Sequence, residues 1–257
     1  MTGTTSELLV SFPSSDGNVT MSQDREWCRV RLDEEERTIR FHDYAEIYAV
    51  PGLYEEIFHR HLECRSPGEV AGLLADELRR AGEDPEGLSV LDVGAGNGLV
   101  GEELRAIGIP TLVGIDILDA AAEAAERDRP GLYADYLACD LTRLGAEERE
   151  RLCAHRPNCL STVAALGFDD IPPRAFAEAY NLIAVDGWVA FNIKADFLDD
   201  VDGSGFRRLI ARMTEEGTFE ECARRRYRHR LATDGRPLDY VALVGRKRAD
   251  VPLAWTG

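Results

Sequence analysis

The sequence predicts an α/β fold built on a doubly wound, mostly parallel sheet, and three observations predict it. From Leu88 onward, five short β-type runs alternate with helix-type runs, the pattern of a parallel sheet covered by helices on both faces. The chain then closes with two β-type runs joined by a turn so short that those strands must be antiparallel. Finally, 257 residues with 44% apolar content suffice to bury a sizeable core.

Taken in order, residues 1–25 are rich in Ser, Thr and Gly with only a brief apolar "ELLVSF", and read as a flexible tail. "WCRVRL" and "RTIRFH" flank "DEEE", two alternating runs about a polar turn, which predicts a hairpin. "PGLYEEIFHRHL" and "SPGEVAGLLADELRRAG" follow as helices. Ser66 is placed to cap the second, with Pro67 at its first position, Glu69 three residues after the cap and Gly82 as its stop. The sheet runs are "LSVLDV", "TLVGID", "YADYLAC", "CLSTVAAL" and "GWVAFNI". Between them lie "GLVGEELRAIG", "LDAAAEAAERD", "GAEERERLCAH" and "RAFAEAYNLIAVDG" as helices. A further helix, "GFRRLIARMTEEG", leads to the terminal hairpin of "TFEECARRRYRHRL" and "LDYVALVGRK" about "TDGRP". The organisation expected is a tail (1–25), a hairpin with a helical segment (26–82), the main α/β domain (83–248) and a C-terminal tail (249–257).

Composition excludes several function classes. No apolar run approaches the roughly 18 residues of a membrane span, and the N-terminus lacks a signal-peptide layout, so a cytoplasmic protein without membrane partners is expected. The six cysteines form no CxxC pair. "CAHRPNC" has no second ligand pair of matching spacing, so no metal is expected. A net charge of −17 repels phosphate backbones and argues against nucleic acid. The charge is unevenly spread, because residues 206–248 hold 12 Lys or Arg against 6 Asp or Glu. Within "RRRYRHR", arginine recurs at positions 224, 226, 228 and 230, the period of one strand face. That row reads either as a solvated face paired with acids or as a patch attracting an anionic small substrate.

The chemistry concentrates where the first parallel strand meets its helix, in "VLDVGAGNGLVG". Glycine falls at 94, 96 and 98, where backbone N–H groups and a helix N-terminus point at whatever lies over the sheet. Two frames are possible. "GNGLVG" spells the dinucleotide fingerprint GxGxxG, but its strand would have to run past Gly94. The wider frame Gly94-Ala95-Gly96-Asn97-Gly98 begins where the strand ends. Asp116 closes the second strand 20 residues after Gly96, placed to accept both hydroxyls of a ribose, and Asp140 closes the third beside the same crevice, placed to accept from an adenine amino group.

"VLDVGAGNG", then "GID", then "CDL" resembles the class I S-adenosylmethionine (SAM) dependent methyltransferases, and more specifically their small-molecule and Williams-Beuren-region-like branches. The likeness spans about Tyr44 to Lys247. It implies a Rossmann-like seven-stranded sheet of order 3-2-1-4-5-7-6 with its last strand antiparallel, and SAM as cofactor. It further implies that Gly94, Ala95, Gly96, Asn97 and Gly98 border the methionine part of the cofactor, with Asp92 supporting the loop. Asp116 would hold the ribose, Ile117 the adenine face, and Asp140 with Leu141 the adenine edge. "FHDYAEIYAVPGLYEEIF" is similar to the tyrosine-containing lid of those branches, in which Tyr44 and Tyr48 would cover the cofactor, Tyr44 on the substrate side. A core stripe at helical spacing is the other reading of the two tyrosines.

Departures from the family's patterns narrow the acceptor. "STVAALGFDD" stands where amino-methylating DNA enzymes carry an Asn or Asp, Pro, Pro, aromatic motif, and no Pro-Cys pair supplies the nucleophile of pyrimidine methylation. A small-molecule hydroxyl, amine or carboxylate is the expected acceptor. Catalysis then needs chiefly in-line positioning, plus a base where a hydroxyl is methylated. His42, Asp43, Asp169 and Asp196 are base candidates by position, with His42 and Asp196 preferred, while Asn192 and Lys194 are placed to orient the acceptor. The alternatives are an NAD(P)-dependent oxidoreductase and a non-catalytic SAM-binding partner protein.

Overall fold

A computed structural model describes residues 8–13, 23–32, 35–167, 170–198 and 204–257. In chain order it contains β1 (Leu8–Ser11), β2 (Trp27–Leu32), β3 (Glu35–Arg40), α1 (Tyr44–Ala49), a π-helical turn (Glu55–His61) and α2 (Ser66–Ala81). Then come β4 (Ser89–Val93), α3 (Leu99–Ala106), β5 (Thr111–Asp116), α4 (Asp119–Asp128), β6 (Asp135–Ala138), α5 (Ala146–Ala154), β7 (Cys159–Thr162) and α6 (Pro173–Leu182). β8 (Trp188–Lys194), α7 (Phe206–Glu215), β9 (Phe219–Leu231) and β10 (Pro237–Lys247) complete it. The chain forms two compact units. One takes the residues up to Arg65 with Arg228–Leu238, the other Ser66–Tyr227 with Asp239–Gly257.

The larger unit holds the expected sheet, in the order β6-β5-β4-β7-β8-β10-β9. β6, β5, β4, β7 and β8 are parallel, and β10 runs antiparallel to β8. Alternation along each strand separates two cores. Val90, Leu112, Cys159 and Trp188 face Val70, Leu74 and Leu78 of α2. Leu91, Val93, Val113, Ile115 and Phe191 face Phe176 of α6 and Leu209 of α7. α2, placed by its sequence in the 26–82 segment, belongs to this unit because its apolar face is buried on the sheet.

The smaller unit departs from expectation in two places. Leu8–Ser11, inside the segment read as a tail, pairs antiparallel with β2, so the predicted hairpin is a three-stranded sheet of order β1-β2-β3. Residues 55–61, expected as regular helix, widen by one residue per turn, as Leu62 N–H donating to Ile57 O shows. Here Cys28, Val30, Ile39, Phe41, Ile47, Leu53, Ile57 and Phe58 form the core.

That core also holds an ion pair. Arg230 Nη2 donates to Glu26 Oε2 at 2.5 Å with both side chains almost fully buried, and Glu26 Oε1 accepts from Thr233 N–H at 2.7 Å. Removing one partner leaves a buried charge uncompensated. Glu26→Ala is therefore expected to lower stability by about 3–5 kcal/mol in urea denaturation, whereas Glu26→Leu combined with Arg230→Met recovers most of the loss.

Candidate functional site

The turn after β4 is built by hydrogen bonds and by backbone sign. The N–H groups of Gly94 and Ala95 both donate to Ile115 O, at 2.8 and 3.1 Å, which bends the chain over the end of β5. Gly98 N–H donates to Ala95 O at 3.0 Å, and Glu102 N–H to Gly98 O at 2.9 Å, which starts α3. Gly94, Gly96 and Gly98 have φ of +71°, +54° and +92°, a region that side chains resist. Since β4 ends at Val93, the frame that opens at Gly94 is the one the structure uses.

Close packing adds to the glycine requirement. A Cβ on Gly94 would stand 2.7 Å from Ala165 Cβ, and one on Gly98 3.1 Å from Arg129 Cδ and Leu132 Cδ2. Asp116 ties the turn to the neighbouring strand. Its carboxylate accepts from Gly96 N–H at 3.0 Å and Leu118 N–H at 3.1 Å, leaving acceptor capacity on both oxygens. Burial pushes its pKa up, against the backbone donors that pull it down. Beside it Ile117 is 64% exposed, an apolar side chain left uncovered at the strand end. Asp140 caps the turn Leu141–Arg143, accepting from Thr142 N–H and Oγ1 at 2.8 and 2.7 Å, and those hydrogen bonds lower its pKa. Leu141 is buried beneath it.

Sequence reasoning missed the groups that brace this turn. Tyr133 Oη donates to Asp92 Oδ2 at 2.8 Å, and Tyr136 Oη to Gly96 O at 2.8 Å. Asn97 is held by Asp128, at 3.3 Å from its amide nitrogen, and by Arg129, which donates to Asn97 O at 3.1 Å. A signal for the tyrosines was present in two glycines inside regular elements. A Cβ on Gly101 in α3 would meet Tyr133 Oη at 2.7 Å, and one on Gly114 in β5 would meet the Tyr136 ring at 2.5 Å. Gly101 is thus space for a tyrosine.

Other predicted residues lie as follows. Asn192 is fully buried, its amide engaged by Ala164 N–H, Ser66 and Tyr227, which corrects the expectation that it faces an acceptor. Lys194 pairs with the exposed Asp196 at 3.0 Å and sits 5.7 Å from the Phe197 ring centroid. Asp169 lies outside the described residues. In the smaller unit, His42 meets the Tyr44 ring edge-on at 5.9 Å. Tyr44, Tyr48 and Tyr54 stack at 6.1 and 5.4 Å, with Tyr48 buried, which gives both predicted tyrosines a packing role. The alternating arginines are matched one by one, Arg224 with Glu221, Arg226 with Asp239, Arg228 with Glu63 and Arg230 with Glu26, so the paired-face reading describes that row. Among the described residues no helix is long and apolar enough to cross a membrane.

Asp92 carries a pH signature. Burial pushes its carboxyl up to about 6 from the ordinary 3.8, partly offset by the Tyr133 hydroxyl. A carboxyl whose folded pKa is raised contributes stability that is complete below about 4 and lost as the pH rises through about 6. Relative to Asp92→Asn, which stays neutral, the wild type is expected to lose about 2 kcal/mol between pH 4 and 7 in denaturant titrations. A constant difference across that range would remove Asp92 as a buried acid.

Comparison with solved structures places this fold among methyltransferases. N-methyltransferase NodS from Bradyrhizobium japonicum, solved with S-adenosyl-L-homocysteine, is 16% identical and aligns over 81% of this chain and 98% of its own, with a TM-score of 0.52. A provisionally assigned RNA methyltransferase from Pyrococcus horikoshii is 17% identical over 72% and 87%, with a TM-score of 0.51. A SAM-dependent methyltransferase from Anabaena variabilis is 14% identical over 82% and 96%, with a TM-score of 0.50. A comparison with curated proteins found no match. The model of the methyltransferase domain matches residues 67–231, well over half of the length, and the chain accordingly belongs to the methyltransferase-domain family.

Proposed function

We propose that this SAM-dependent methyltransferase acts on a small molecule, at a hydroxyl, amine or carboxylate, and that SAM lies across the carboxyl ends of β4, β5 and β6. The observation that carries the cofactor site is the 3.0 Å bond from Gly96 N–H to the Asp116 carboxylate, which joins the glycine turn and the ribose acid into one crevice. In this reading Gly94, Ala95, Gly96, Asn97 and Gly98 border the methionine part of SAM, and Asp92, fixed by Tyr133, braces them. Asp116 accepts from the ribose, Ile117 covers the adenine face, and Asp140 with Leu141 meets the adenine edge. The exposed Ile117 supports the adenine placement, since burying it under a ring removes apolar surface from water.

Bound SAM supplies an electrophilic methyl on its sulfonium. The protein's part is to hold the acceptor atom in line and, for a hydroxyl, to take a proton. Asp196 is the base candidate of the larger unit, where Lys194 holds it at 3.0 Å; Asn192 is withdrawn from the acceptor set. A small acceptor is favoured by the net charge of −17 and by an arginine row already spent on acids.

Asp116→Ala is expected to weaken S-adenosylhomocysteine binding by about 1.5–3 kcal/mol in calorimetry without unfolding the chain, because a charged acceptor is lost. Gly96→Val, which forces a β-branched residue to φ of +54°, is expected to abolish binding. For the acceptor, labelled SAM incubated with a cell extract is expected to leave its methyl in the low-molecular-weight fraction. Label confined to RNA or protein would overturn the small-molecule reading.

A further inference from the structure

The side chain withdrawn from the acceptor set does something else. Asn192 lies on the face of β8 that carries Trp188 and Ala190 toward α2, and it is fully buried there. Its Oδ1 accepts from Ala164 N–H at 2.6 Å. Its Nδ2 donates to Ser66 Oγ at 2.9 Å and to Tyr227 Oη at 2.6 Å, and those two hydroxyl oxygens lie 2.6 Å apart. Ser66 begins α2, Tyr227 sits in β9, and both are buried. The arrangement permits only one orientation of the amide, because the backbone N–H of Ala164 needs an acceptor.

Ala164 is the strained point. It has φ of +58°, left-handed for a residue with a Cβ, in the loop that leaves the C-terminal end of β7. The next residue, Ala165, puts its Cβ 2.7 Å from where a Cβ on Gly94 would stand, so this loop is one wall of the glycine turn. A displacement of Ala164 reaches Gly94 through a single intervening side chain.

We propose that Ser66, Tyr227 and Asn192 form a positioning network that holds Ala164 left-handed and thereby sets the wall of the cofactor turn. The inference rests on the reading that this turn holds SAM. None of the three touches the cofactor in it; they act through Ala164 and Ala165. The network also explains why a helix start, an asparagine near the end of β8 and a tyrosine from β9 are polar at the centre of an apolar layer: their hydrogen bonds are made to one another and to the loop.

The test uses the full chain and S-adenosylhomocysteine as probe, with affinity read by calorimetry and exchange of the 163–167 amides read by mass spectrometry. Asn192→Leu keeps the volume and removes all three bonds. It is expected to weaken binding tenfold or more and to speed exchange across the loop. Adding Ala164→Gly, which accepts a left-handed backbone without strain, is expected to recover at least threefold of the affinity. A residue that only stabilises the core would lower the melting temperature while the folded protein bound normally. Folded Asn192→Leu with affinity within twofold of wild type therefore overturns the proposal. Where Asn192→Leu does not fold, Tyr227→Phe decides: a loss of threefold or more supports the network and an unchanged affinity overturns it. Absence of binding by the unaltered chain is a different result, which overturns the cofactor site itself.

Discussion

The left-handed backbone at Gly94, Gly96 and Gly98 is the constraint around which the larger unit is arranged. Such a turn is stable only when its polar groups are satisfied and its neighbours leave room. Ile115 O takes two of its N–H groups, Asp116 a third, and Tyr136 donates to the carbonyl of Gly96. Ala165 closes one side and Arg129 with Leu132 the other. The sheet order puts β7 next to β4, so Ala165 comes from the loop that leaves the adjacent strand, while Arg129 and Leu132 come from the connection between α4 and β6. A parallel sheet with its order reversing at β4 creates the crevice, and the glycines let the chain turn within it.

Charge is handled differently in the two units, in ways that bear on function. A run of arginines in an acidic protein invites an electrostatic function, yet each member of the alternating row has an acid assigned to it. Exposed pairs of this kind add little to stability; they cancel a field. Arg230 with Glu26 is the exception, buried at the centre of the smaller unit under Thr233 and facing the Phe41 ring at 5.6 Å. In the larger unit two ionisable groups held away from water, Asp92 and Asp116, lie at the crevice. Asp92 and Asp116 both have carboxyls raised by burial. Each stays hydrogen-bonded, Asp92 to a tyrosine and Asp116 to backbone, which offsets part of the cost of burial.

Much of the larger unit was legible because its signals are periodic. Strands such as "TLVGID" are short β-type runs bounded by turn residues, and their alternation with helices predicted a parallel sheet closed by an antiparallel hairpin; the strand order itself was implied by the family resemblance, and the sheet order matches it. The glycine frame was legible from the position of the strand end. Less legible were interactions between residues far apart in sequence. Tyr133 was read only as the start of a strand, and its bond to Asp92 spans 41 positions; the matching absence of a side chain at Gly101 is visible only in pairs. Asn192 looked functional as a polar residue at the end of a strand, because nothing local reveals that Ser66, 126 positions earlier, occupies its amide. β1 was hidden by its shortness, four residues amid Ser and Gly, and forms because β2 offers an edge. The π-helical turn carries no signal that period 3.6 would detect.

On the proposed function, the left-handed glycine turn, joined to Asp116, is a SAM site rather than a dinucleotide site. Parallel calorimetric titrations of the full chain with SAM and with NAD test it most directly. Saturable one-to-one binding of SAM and no heat of binding from NAD are expected. Binding of NAD with none of SAM would contradict it.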